Sequence, residues 1–176
     1  MQNKNQKGFS IIEALTSIFV FSIVALIVSG LLVQAMNVER RAFSAQAIQE
    51  NVLAVLELMV KEIRVSTVSD QNNNCTTDPA LSMINVIHPI EGAVTYRLSS
   101  GVIERITGGI THILSSDDVI FNNLRFCISG STTPSDNKSA RVTVLLSISN
   151  KKGREILTTN VHTTVTSRDI FDELQN

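Results

Sequence analysis

The sequence predicts an α+β protein in which one long N-terminal helix packs on a C-terminal antiparallel β-sheet head. Three observations support this fold class: an apolar run from Phe9 to Met36, apolar residues that recur every three or four positions from Val38 to Ile63, and segments of alternating polarity after Ser82. The 176 residues suffice for one domain with a core and an appendage. A net charge of −1 argues against a nucleic-acid partner, because such binders usually carry a basic excess.

The apolar run predicts a membrane-spanning helix. Residues 9–36 carry a single charge, at Glu13. A helix rises about 1.5 Å per residue, so a run of this length can cross the roughly 30 Å hydrocarbon core of a bilayer. The polar interruptions carry hydroxyl groups that can bond back to their own helix, and they are Thr16, Ser17, Ser22 and Ser29. A secretory signal cut near Ala35 is an alternative, but its apolar region would be shorter.

The helical pattern continues beyond the apolar run. Apolar residues fall on one helical face at Val38, Ala42, Ala45, Ile48, Val52, Leu56, Met59 and Ile63. No proline interrupts this stretch, and Glu57 and Lys61 have the spacing of a surface ion pair. We therefore expect one continuous helix from about Phe9 to Val65, apolar all round in its first half and amphipathic in its second.

The rest of the chain predicts a sheet. Residues 66–82 are polar and indicate a loop. Strand-like segments follow at 83–88, 94–98, 102–106, 110–114, 124–129, 142–148 and about 155–166. In the last of them, Leu157, Val161 and Val165 form the expected inward set. One antiparallel sheet needs cover on one face, and the amphipathic face between Val38 and Ile63 can provide it.

Two cysteines lie in the predicted head. Cys75 belongs to the polar loop, and Cys127 lies on the strand face opposite Leu124, Phe126 and Ile128. An even count in an oxidising compartment favours a disulfide, which would join the loop to the sheet. Two unrelated thiols are the alternative.

The remaining polar residues do not predict a catalytic site, and no cofactor or metal is expected. His88, His112 and His162 fall in separate strand-like segments without metal-ligand spacing, which indicates sheet-surface positions. Asp117-Asp118 suits a turn better than a calcium loop. Lys151, Lys152 and Arg154 cluster at a predicted hairpin tip, where solvation is the simplest interpretation. We therefore expect that the chain is not an enzyme.

The N-terminal residues resemble a known signal. Residues 1–8 are polar and end in Lys7-Gly8, and Lys-Gly-Phe-Ser-Ile-Ile-Glu-Ala-Leu at 7–15 resembles the type IV pilin (class III) signal of pilins, pseudopilins and competence pilins. The resemblance implies that a prepilin peptidase cuts after Gly8, that the amine of Phe9 is then methylated, and that Glu13 directs the subunit into a filament. It divides the chain into a leader (1–8), a transmembrane and assembly helix (9–36), and the amphipathic helix half with the head (37–176).

The resemblance also implies a role and a place. The chain would be a minor pilin or pseudopilin of a pilus, a secretion system or a DNA-uptake system, and Thr-Ser-Arg-Asp at 166–169 resembles the ends of J- or W-type minor members. Its implied partners are the prepilin peptidase, other pilin or pseudopilin subunits, a membrane platform protein, and membrane lipid before assembly. It would span the cytoplasmic membrane once, with the head outside, and reach a filament or the cell surface after assembly. A single-pass anchored binding domain that forms no filament is the alternative.

Elementary chemistry bears on Glu13 and Gly8 independently. A carboxylate within an apolar membrane helix costs about 3 kcal/mol and usually marks function. The positively charged amine of Phe9 on a neighbouring subunit would offset that cost and fix the axial register. A glutamate favoured by the helix dipole is the alternative for Glu13, and a helix-start breaker is the alternative for Gly8.

Overall fold

The structure, a computed structural model, describes residues 9–68, 70–73, 75–76, 80–131, 139–152 and 156–167. The chain divides into two compact units, residues 1–42 and 43–176. The described elements are α1 (Ile11–Val65), β1 (Met83–His88), β2 (Gly92–Ser99), β3 (Val102–Thr107), β4 (Ile110–Ile113), β5 (Val119–Ser129), β6 (Arg141–Asn150) and β7 (Thr158–Thr166). The predicted α+β fold, a long helix packed on antiparallel sheet, is confirmed.

Helix α1 begins two residues later than the sequence predicts. The carbonyl of Ser10 accepts hydrogen bonds from the backbone N–H groups of Glu13 at 3.1 Å and Ala14 at 3.2 Å. Serine is a favoured residue just before a helix, so Ser10 rather than Phe9 marks the start. From there the helix continues to Val65 as expected.

The second half of α1 provides the helical layer of the core, but over a shorter stretch than predicted. The predicted face starts at Val38, whereas Val38 is 66% exposed and Ala42 is exposed as well. Burial starts at Ile48 and continues through Val52, Val55, Leu56, Met59, Glu62 and Ile63. Periodicity identifies the apolar face of a helix, but it does not determine how far a sheet extends along that face.

The strands form two antiparallel sheets rather than the single sheet that the sequence predicted. One has the order β1-β2-β3-β4 and the other β5-β6-β7. The backbone N–H of Phe121 in β5 donates to the carbonyl of Gly101, at the β2–β3 turn, over 2.9 Å. Alternation along a segment predicts a strand, but it does not identify the strand with which that segment pairs.

Strand β5 also begins earlier than predicted, at Val119 instead of Leu124. The pairing of β5 with β6 shifts between Phe121 and Asn123. Such a bulge adds one residue and reverses the alternation, so Phe121 and Leu124 both face inward although two residues lie between them. The sequence pattern therefore does not predict the inward residues before the bulge, Val119 and Phe121.

The core of the second unit lies between the buried stripe of α1 and the inner faces of both sheets. The buried sheet residues include Ile84, Val86, Val94, Tyr96, Ile103, Phe121, Leu124, Phe126, Ile128, Val142, Val144, Leu146 and Ile148. At the C-terminal end, Val165 is buried while Leu157 and Val161 pack against the core with partial exposure. The predicted inward set of the last strand is confirmed, although β7 begins at Thr158; residue 155, the predicted start, lies outside the described residues.

Candidate functional site

The N-terminal end of α1 carries the residues that the sequence singled out for processing and assembly. Phe9 is 80% exposed and precedes the helix, and Glu13 lies in its first turn with an exposed side chain. No residue in the described part of the chain donates a hydrogen bond to the Glu13 carboxylate. Gly8, the predicted cleavage position, lies outside the described residues.

The first half of α1 has the surface of a membrane helix. It includes an 18-residue stretch with a mean hydropathy of 2.6, none of which is buried, so it is long and apolar enough to cross a membrane. The hydroxyls of Ser17, Ser22 and Ser29 donate to backbone carbonyls four residues earlier at 2.7–2.8 Å. Thr16 bonds back in the same way, over 3.0 Å. These bonds are the predicted ones, and they leave the surface of the helix effectively apolar.

The two cysteines form a disulfide, as predicted, with their Cα atoms 5.5 Å apart. Backbone hydrogen bonds flank the bridge along the chain, pairing Asn73 with Ile128 and Leu81 with Phe126. Asn73, Cys75 and Leu81, from the segment predicted to be irregular, are therefore attached to β5 by backbone hydrogen bonds and by the disulfide.

A buried polar cluster, which the sequence analysis missed, joins α1 to the four-stranded sheet. Glu62 of α1 is 9% exposed, and its carboxylate accepts hydrogen bonds from Arg105 of β3, from Nε at 3.0 Å and from Nη2 at 2.5 Å. The hydroxyl of Tyr96, which is fully buried in β2, donates to the same carboxylate. Arg105 also contacts the carboxylate of Glu91. The helix and two strands thus share one charged network.

Electrostatics favour the charged form of this cluster. Burial opposes ionisation of Glu62, but the hydrogen bonds from Arg105 and Tyr96 outweigh that effect and lower the pKa of its carboxyl group. Burial, followed by the hydrogen bond to Glu62, raises the pKa of the Tyr96 phenol. The hydrogen bond to Glu62 raises the pKa of Arg105. At neutral pH the cluster therefore holds a carboxylate, a guanidinium and a neutral phenol. Because these groups bond to one another across the helix and two strands, we assign the cluster a structural role.

Comparison with protein families matches residues 3–29 to the prokaryotic N-terminal methylation motif. This range contains the basic leader, the glycine, the aromatic residue, the glutamate and most of the apolar run in the predicted order. The chain carries a type IV pilin-like signal. No curated protein and no solved structure matches the chain.

The pilin-like signal and the exposed apolar helix support the description of the chain as a pilin-like precursor. The motif belongs to structural proteins rather than enzymes, and its apolar helix is consistent with membrane anchoring. The match ends at residue 29, so it does not test the J- or W-type subtype, and residues 168–169 of that pattern lie outside the described chain. The roles of Gly8, Phe9 and Glu13 stay predictions.

The remaining predicted residues are dispersed. His112 and His162 are exposed on strands, and His88 ends β1, where its Nδ1 accepts backbone hydrogen bonds from Ile90 and Glu91. Among the described residues no group of three or more His, Cys, Asp or Glu side chains could hold a metal ion. Asp118 lies in the predicted turn and pairs with Lys152 over 2.9 Å. Arg154, the third residue of the predicted basic cluster, lies outside the described residues.

Proposed function

We propose that this chain is the precursor of a filament subunit, a minor pilin or pseudopilin, which is cut after Gly8, methylated on the amine of Phe9, and assembled through α1. The observation that carries this proposal is the methylation motif at residues 3–29, which runs directly into an exposed apolar helix. A signal of this kind joined to a soluble helix would have no means of holding the subunit in a membrane before assembly.

The position of Phe9 fits processing at this point. It lies before the helix and is 80% exposed, so an enzyme can reach the backbone there without unwinding α1. Cleavage would leave the new amine at the N-terminal end of the helix, where the helix dipole disfavours a positive charge. A nearby carboxylate would relieve that cost.

Glu13 is the carboxylate available for this purpose. It lies in the first turn of α1 on an otherwise apolar surface, and a neighbouring subunit's amine would compensate its charge once lipid is replaced by helices. This pairing would fix the axial position of one subunit against the next.

The partners of the proposed function are those that the resemblance to type IV pilin signals implies. They are the prepilin peptidase, sister pilins or pseudopilins, and a membrane platform protein, with membrane lipid around α1 before assembly. The subunit would span the cytoplasmic membrane once, with the disulfide-containing head on the oxidising side. The proposal includes a J- or W-type minor subunit as one form that the chain could take.

The intact mass of the protein from its native membrane tests the processing. We expect the loss of Met1–Gly8 and the gain of one methyl group. A full-length chain would refute the proposal and favour a single-pass anchored binding domain. A chain that begins near Met36 would refute it in favour of a secreted domain.

Charge removal at Glu13 tests assembly separately. Glu13→Gln keeps the size of the side chain, so it should leave membrane insertion and cleavage intact while reducing incorporation into filaments. Thr16→Val, on the same stretch of helix, is the matched control, because the Thr16 hydroxyl bonds only to its own helix. Equal incorporation of both variants would contradict the role of the Glu13 charge without affecting the processing result.

A further inference from the structure

Strand β7 forms an open edge of the three-stranded sheet. In the part of the chain that the structure describes, β7 pairs with β6 alone, from Arg141 opposite Thr166 to Ser149 opposite Thr158. The other outer strands are partly paired or short: Thr67 pairs with β1, Asn73 and Leu81 pair with β5, and β4 has only four residues. Among the strands that the structure describes, β7 is therefore the one with an open edge of nine residues.

The hydrogen bonds at the two ends of the β6–β7 pair show which residues of β7 bond to β6. Ser167 N–H donates to the carbonyl of Ala140 at 2.8 Å, and Asn150 N–H donates to the carbonyl of Leu157 at 3.4 Å; both pairs extend the β6–β7 register. Hydrogen-bonded pairs alternate with non-bonded pairs in an antiparallel ladder. Odd-numbered residues of β7 therefore bond to β6, and the even-numbered ones direct N–H and C=O to the open edge: Thr158, Asn160, His162, Thr164 and Thr166.

This edge lacks the usual features that prevent pairing. Folded proteins protect long edge strands with lysine or another charged residue, with proline, or with a bulge. Residues 158–166 contain no Lys, Arg, Asp, Glu or Pro, and the β6–β7 register runs without a shift. Threonine and valine, which favour strands, supply seven of the nine positions.

We propose that β7 pairs along this edge with β7 of a second copy of the chain, in an antiparallel register centred on His162. The backbone permits this register, because each residue that directs its N–H and C=O to the open edge lies opposite another such residue. Asn160 would lie opposite Thr164 of the partner subunit, and His162 opposite His162 of the partner subunit. All nine residues would pair, and the two three-stranded sheets would become one continuous sheet.

The side chains of β7 also fit this register. On the face of the even-numbered residues, hydroxyl and amide groups meet one another. On the other face Val161 would lie opposite Thr163 of the partner subunit, and Thr159 opposite Val165 of the partner subunit. Such pairs suit neighbouring strands, and none of them combines two Lys, Arg, Asp or Glu side chains. The sequence of β7 is thus complementary to itself.

Cysteine cross-linking of the full-length chain in detergent micelles tests the register. The two native cysteines are joined to each other, so they do not compete. Under a copper–phenanthroline oxidant, His162→Cys should form a disulfide-linked dimer, and a mixture of Asn160→Cys with Thr164→Cys should form a mixed dimer more readily than either variant alone. Thr143→Cys, on the central strand β6, is the control and should stay monomeric. Equal cross-linking of all variants, or cross-linking of none, would overturn the proposal.

Self-association of the uncross-linked chain, measured by sedimentation in the same detergent, provides the second test. His162→Lys places two ammonium groups opposite each other, so we expect roughly tenfold weaker association than for the neutral control His162→Gln. Asn160→Pro should also abolish the dimer while leaving the fold intact, because its N–H does not bond to β6. A monomeric parent chain, a dimer insensitive to these changes, or a dimer that appears only after removal of residues 168–176 would each refute the proposal.

Discussion

The buried cluster between α1 and the four-stranded sheet gives the sharpest test of how the head is stabilised. The Glu62 carboxylate accepts hydrogen bonds from Tyr96 and, twice, from Arg105, and it is 9% exposed. Removing one partner of a buried, paired charge costs about 3–5 kcal/mol, because the remaining partner is left without compensation. Arg105 would keep Glu91, so we expect Glu62→Ala to lower the free energy of unfolding by about 3 kcal/mol.

Smaller changes should follow a defined order. Glu62→Gln keeps the shape and one oxygen acceptor but loses the charge, and hydrogen bonds to charged groups contribute about 1.5–3 kcal/mol, so a loss of about 2 kcal/mol is expected. Tyr96→Phe removes one donor and leaves the Arg105 bonds, so about 1 kcal/mol is expected. Glu57→Gln is the control, since Glu57 forms an exposed ion pair with Lys61 on the same helix and should change stability little.

Urea unfolding of the full-length chain in detergent measures these differences. Tyr96 is the one tyrosine of a chain without tryptophan, so its fluorescence reports directly on the cluster, and far-UV circular dichroism serves the Tyr96→Phe variant. The structural argument would be refuted if Glu62→Gln destabilised the head no more than Glu57→Gln.

The same cluster predicts a pH dependence. The pKa of Glu62 is lowered in the folded state from 4.5, so its contribution to stability is fully present above the unfolded pKa. As the pH falls below 4.5 and through the folded pKa, protonation of Glu62 should remove that contribution. Glu62→Gln should therefore show a weaker loss of stability in acid than the parent chain, and parallel acid profiles would contradict this assignment.

Two further predictions concern the backbone of the head. Gly101 and Gly109 both have φ of +80°, but only at Gly101 would a new Cβ lie 2.6 Å from Ile120. Gly101→Ala should therefore lower the free energy of unfolding by about 2–3 kcal/mol, and Gly109→Ala by about 1 kcal/mol. Equal urea midpoints of the two variants would contradict this. Replacing Cys75 and Cys127 together by serine should cost about 2–4 kcal/mol by freeing the loop in the unfolded chain, and a reductant should lower the parent urea midpoint but not that of the double variant.

The features that the sequence predicted well are those that short-range patterns determine. The apolar run, the helical periodicity around Met59 and the alternation around Val144 each depend on neighbouring positions, and the structure confirms all three. The bulge between Phe121 and Asn123 shows the limit of this reasoning, because one additional residue exchanges the two faces of a strand. Division into two sheets depends on pairing between distant segments, which alternation does not specify.

The Glu62 cluster was missed for a related reason. Glu62 lies beside Ile63 on the apolar face of α1, and a charge in that position is a signal in the sequence. The sequence offers Arg97 and Arg105 as partners on adjacent strands, and alternation places Arg97 on the face opposite Tyr96. In the structure Arg97 pairs with Glu104 on the sheet, while Arg105 faces the helix. The register of β2 against β3, which the sequence does not give, places Arg105 directly opposite Tyr96.

Glu62 and Glu13 of α1 present the same physical problem with different surroundings. Glu62 is buried, and the chain itself provides a phenol and a guanidinium that compensate its charge. Glu13 lies on an apolar surface, and no described residue donates to it. A charge in an apolar membrane helix costs several kcal/mol unless a donor compensates it. Under the proposed function this donor is an amine created by cleavage, which would make compensation of Glu13 depend on processing. Uncut precursor should then fail to assemble even where it is abundant in the membrane, and efficient incorporation of a cleavage-resistant Gly8→Val variant would disprove that dependence.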